Sequence, residues 1–83
     1  MYNTFYSGIL ATRIFRMDTK KLGKRIKIAR IECDMIQQQL TEAAQTTQKA
    51  ISRYELGLSM PPLDLFVKLS QVLQKPYSYF LDQ

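Results

Sequence analysis

From Asp18 onward, apolar residues recur along this chain at spacings of three and four. Leu22, Ile26, Ala29 and Cys33 fall at i, i+4, i+7 and i+11, one stripe of an amphipathic helix. Asp18 or Thr19 offers a side-chain oxygen to cap its start. Asp34 is a tolerable stop, because Asp enters the left-handed region more easily than most residues. A second short helix is predicted over roughly 36–44, with Leu40 and Ala44 inward. Thr47 caps a third, about 47–55, whose Ala50, Ile51 and Tyr54 make one apolar face, and Gly57 ends it as a glycine just past a helix should. Pro61 and Pro62 stand at the entry of a fourth helix, where a missing N–H is harmless. Its Leu65, Phe66, Leu69, Val72 and Leu73 form a broad apolar face. Lys75-Pro76 breaks it, and Tyr77, Phe80 and Leu81 share one side of a last short turn. No run alternates with period two. The pattern predicts an all-α domain of five short helices over residues 18–83, preceded by an N-terminal extension, residues 1–17, with no clean period.

Size narrows this picture. Eighty-three residues make one small domain, of a size that buries only about 60% of its unfolded surface. The single cysteine, Cys33, excludes an intramolecular disulfide and points to a reducing compartment. Apolar runs are far too short to span a bilayer, and the N-terminus lacks the basic and apolar blocks of a signal peptide. The expected location is cytoplasmic.

Charge adds a direction. The net charge is +5, and eight of the twelve basic side chains lie in residues 13–30: Arg13, Arg16, Lys20, Lys21, Lys24, Arg25, Lys27 and Arg30, against Asp18 alone. Residues 31–83 hold four bases and six acids. A basic segment on a nearly neutral body suits an anionic polymer as partner. A membrane surface suits it poorly, because these charges ring the helix instead of facing a broad apolar side.

Catalytic constellations are nearly absent. The chain has no histidine, and its acids are scattered without paired spacing. Cys33 has no histidine to activate it and reads as a core residue. The three glycines stand alone, so no loop could cradle a phosphate. The sequence points to no enzyme, no metal and no cofactor.

The predicted third helix has an unusual polar face. Thr47, Gln48, Lys49, Ser52 and Arg53 present hydroxyls, an amide, an ammonium and a guanidinium, groups that donate or accept in pairs. Around them, Gln37, Leu40, Thr41, Gln45, Ile51, Tyr54, Glu55 and Gly57 fall at helix-turn-helix spacings. The ordered series Leu22-Gly23, Arg30, Gln37-x-x-Leu40, Ile51-Ser52-Arg53-Tyr54-Glu55-x-Gly57, Pro61, Leu73 and Pro76-Tyr77-Ser78-Tyr79-Phe80-Leu81 resembles the Cro and phage-repressor (XRE-type) helix-turn-helix family. The resemblance covers residues 22–81 without a gap.

That resemblance implies a lambda-repressor-like fold of five helices and sequence-specific binding to double-stranded DNA. The third helix would enter the major groove, with Thr47, Gln48, Lys49, Ser52 and Arg53 as base readers. Glutamine matches the N6/N7 edge of adenine, and Arg or Lys the O6/N7 edge of guanine. Gln37 and Arg30 would contact phosphates, with Arg30 paired to Glu55. Members of the family commonly bind palindromic operators as homodimers, and here Tyr77, Tyr79 and Phe80 are the expected dimer surface, with Leu81 finishing the core. A transcriptional regulator of repressor type, acting by occupancy, follows. The alternative on the same scaffold is an antitoxin or anti-repressor whose main partner is a protein engaged through residues 1–17.

Three positions depart from the family pattern. Ile36 stands where Ser or Thr caps the second helix, a loss of about 1 kcal/mol unless a neighbour substitutes. Thr41 replaces a small alanine where the second and third helices cross. Gln45 replaces the turn glycine, which often has positive φ.

Overall fold

A helix begins with four backbone N–H groups that have no partner inside it, so its first residues need an outside acceptor. Asp18 supplies one: its carboxylate accepts the Lys21 N–H at 3.1 Å. Helix α1 (Thr19–Glu32) follows, with Leu22, Gly23, Ile26 and Ala29 buried. The structure is a computed structural model and describes residues 18–81. The extension expected at residues 1–17 lies outside the described residues. At the end of α1 the Cys33 N–H folds back onto the Ala29 and Arg30 carbonyls, and Asp34 turns the chain at φ 57°.

Helix α2 (Gln37–Ala43) starts without a side-chain acceptor at its cap, because Ile36 has none to give. Only the reciprocal half of a capping arrangement forms: Gln39 reaches back and accepts the Ile36 N–H at 2.9 Å. Gln45 then closes the turn at φ 58°, the conformation expected of the glycine it replaces. Thr47 caps helix α3 (Gln48–Glu55), accepting the Ala50 N–H at 3.1 Å. Gly57, at φ 76°, ends it. Pro62 precedes helix α4 (Leu63–Leu73), which closes on Gln74 in the left-handed region. Helix α5 (Tyr77–Leu81) completes the order, and the described residues contain five helices and no strand.

Ile26, Ala29, Leu40, Ala44 and Ile51 are fully buried where α1, α2 and α3 meet, and Leu69, Leu73 and Phe80 continue the same core. Each large side chain so buried contributes about 1.5–3 kcal/mol of transfer free energy. Gly23 sets the distance between α1 and α3. A Cβ there would sit 2.3 Å from the Tyr54 carbonyl oxygen, so no side chain fits. Thr41 is accommodated at the α2–α3 crossing. It is buried, its hydroxyl donates to the Gln37 carbonyl at 2.9 Å, and Leu40 and Ile51 on either side remain fully buried.

One expectation for the C-terminal turn is reversed. Phe80 is 3% exposed and packs edge-on against Phe66 with ring centroids 5.7 Å apart, so it belongs to the core and not to an outer surface. Leu81, expected inside, is 37% exposed. Adjacent positions on a helix point about 100° apart, and here it is Phe80 that points at Phe66. The aromatic ring, with the larger area to bury, takes that place.

Candidate nucleic-acid interface

Helix α3 owes its position to two contacts on its buried side. Ile51 and Tyr54 anchor it in the core, and the absence of a Cβ at Gly23 lets its C-terminal end lie against the α1 backbone. With that face committed, the opposite face is open. Thr47, Gln48, Lys49 and Arg53 are exposed, and Ser52 is half-buried. All five residues expected to read bases therefore lie on or beside one open face. Thr47 has a double task, since its oxygen already caps the helix. Its hydroxyl hydrogen and methyl group remain for other contacts.

Arg30 and Gln37 come together at the other end of α3, on the Glu55 carboxylate. Arg30 Nε donates to Glu55 Oε2 at 2.7 Å and Nη2 donates to Oε1 at 3.1 Å. Arg30 Nη1 donates to the Met35 carbonyl at 2.8 Å. Gln37 Nε2 donates to Glu55 Oε1 at 3.0 Å. The Arg30 and Glu55 side chains are 11% and 3% exposed, so this is a largely desolvated pair in bidentate geometry. Removing one partner would strand a buried charge, which costs far more than a surface pair contributes. Arg30 has five N–H donors, of which these contacts use three. The Arg30–Glu55 pair was expected; the Gln37 bond to the same carboxylate was not. Residues 18 apart on different helices leave no signal in a spacing pattern.

Tyr79, expected on a dimer surface, is half-buried and engaged. Its ring lies 4.8 Å from Lys75 Nζ and 5.5 Å from the Arg25 guanidinium carbon, and its carbonyl accepts from Arg25 Nη1. Lys75 also pairs with Glu32 at 2.9 Å, and that hydrogen bond raises the ammonium above its ordinary pKa. Tyr77 stays exposed. Its ring lies 5.8 Å from that of Phe66, which with Leu22, Met60, Pro61, Leu63 and Leu81 lines an apolar groove of about 280 Å³.

Among the described residues, no helix is long and apolar enough to cross a membrane, and no group of His, Cys, Asp or Glu could hold a metal ion. A helix-turn-helix family model matches residues 26–80, which takes in the whole of α2, α3 and α4. No curated protein and no solved structure matches the chain.

Proposed function

The chain belongs to the XRE-type helix-turn-helix family, a family of DNA-binding regulators, and from that premise we propose that it is a sequence-specific operator-binding repressor acting by occupancy. The open polar face of α3 carries this reading. A helix anchored by Ile51 and Tyr54 and capped at Thr47 can enter a major groove roughly 12 Å wide without disturbing the core. Gln48, Lys49 and Arg53 are the proposed base readers, with Thr47 and Ser52 as secondary contacts. Gln37 is the proposed phosphate anchor, joined by Arg30 through the two N–H groups its internal contacts leave.

A palindromic operator needs two copies of the protein. Copies carrying a net charge of +5 repel each other, and a self-complementary face without charges of its own adds nothing to that repulsion. Leu63 is 77% exposed, and neither Leu81, Tyr77 nor any residue lining the adjacent groove is charged. We take this face, with Leu63 and Leu81 in place of Tyr79 and Phe80, as the contact between two copies on half-sites about 34 Å apart.

Salt titration tests the DNA reading. Binding to duplex DNA should weaken linearly on a log–log plot of affinity against salt, because phosphate contacts release condensed counterions. Affinity indifferent to salt would argue against DNA as the partner and for a protein.

A further inference from the structure

Glu55 does more than pair with Arg30. Its carboxylate is almost fully enclosed, yet it also accepts the Gln37 side chain, and Gln37 is the first residue of α2. An ionised carboxylate can only accept, whereas a glutamine amide has a donating end and an accepting end. The partner therefore decides which end faces inward. Against Glu55 the nitrogen must point in, whichever way the amide would turn if free. That nitrogen carries two hydrogens, and Glu55 takes one.

We infer that Glu55 is a positioning residue for Gln37, dictating that the side chain offers its second Nε2 hydrogen, a donor, to a DNA phosphate. Glu55 touches no DNA itself, since a carboxylate and a phosphate repel. It closes the base-reading helix α3, so it ties the register of the phosphate anchor on α2 to the register of the readers. Glu55→Gln keeps the size and one acceptor oxygen. It removes the charge that pins Nε2, so the second hydrogen is no longer held in one direction.

The inference rests on the DNA-binding reading, so the experiment starts with a duplex selected by the full chain from a random pool. Each phosphate of that duplex is replaced in turn by a neutral methylphosphonate, and binding is measured for the wild type, Gln37→Ala and Glu55→Gln. In the wild type, one replacement per half-site should cost roughly tenfold, as expected for a hydrogen bond to a charged group, and should cost Gln37→Ala nothing. Glu55→Gln should lose sensitivity at that same phosphate, and at any phosphate met by Arg30, which the same carboxylate holds, while keeping its remaining phosphate contacts and its base preferences. Full sensitivity retained there, or a uniform loss at every phosphate and base, overturns the inference, the second because it marks a merely structural support. So does the lack of any phosphate that distinguishes Gln37→Ala from the wild type. A pool yielding no bound duplex removes the DNA-binding reading and the inference with it, whereas the other failures remove the inference alone. Should Glu55→Gln not fold, NMR of the wild type decides. The two Gln37 side-chain amide protons should resonate further apart than those of exposed Gln48, and equal separations overturn the inference.

Discussion

Gln45→Gly should stabilise this protein, although it removes a side chain and a hydrogen bond. Gln45 sits at φ 58°, where a Cβ meets the following carbonyl oxygen; that conformation costs a residue other than glycine roughly 1–2 kcal/mol. Against the relief stand two losses. Glycine adds conformational freedom to the unfolded chain, worth about 0.4–1 kcal/mol. The Gln45 side chain also accepts from Lys68 Nζ at 2.8 Å, but both groups are exposed. Exposed contacts of this kind typically count for no more than about 0.5 kcal/mol. The balance is a gain of roughly 0.5 kcal/mol, which in a domain of this size raises Tm by about 2–4 °C. Thermal denaturation followed by circular dichroism reads it, with Lys68→Ala as the control for the lost hydrogen bond. Gln74, at φ 58°, should respond to glycine in the same direction, and Asp34, at φ 57°, less, because Asp tolerates the left-handed region better. Unchanged or lower Tm for both glutamine variants would show that these turns hold no strain, and the reasoning would fail.

Gly23→Ala should cost more than the roughly 1–3 kcal/mol of ordinary overpacking, because the new Cβ meets backbone at Tyr54 and Glu55 instead of a movable side chain. A urea midpoint close to that of the wild type would contradict the close approach of α1 to α3. Arg53→Ala should relax discrimination at one base pair per half-site by about 1–3 kcal/mol, most plainly at a guanine, while Gln37→Ala should weaken operator and random DNA by similar factors. Binding to a full set of single-base operator variants separates the two, and a uniform loss for Arg53→Ala would move that residue to the phosphate anchors. A chain starting at Met17 should fold and bind DNA, since the core of the described residues is built from Leu22 to Phe80; a truncated chain that fails to melt cooperatively would assign residues 1–17 to the core.

Local rules made most of this fold legible. Leu22, Ile26 and Ala29 announce α1 by period, Thr47 announces α3 by its cap, and Gly57 its end by its left-handed φ. Gln45 was legible only through the resemblance, because nothing in a glutamine suggests positive φ. What stayed hidden is tertiary. The choice of Phe80 over Leu81 for the core depends on where Phe66 lies, and the Gln37–Glu55 bond on how α2 crosses α3. The same holds for Tyr79, where Arg25 arrives from α1 to join the neighbouring Lys75. Periodicity assigns a residue to a face but does not say what that face meets.

A selection from random duplex DNA with the full-length chain, sequenced over successive rounds, asks whether the chain reads a specific palindrome through α3. The enriched motif should hold two inverted half-sites about one helical turn apart, with base preferences that change when Gln48, Lys49 or Arg53 is replaced. A pool that stays random, or a motif indifferent to all three replacements, would contradict specific reading through α3.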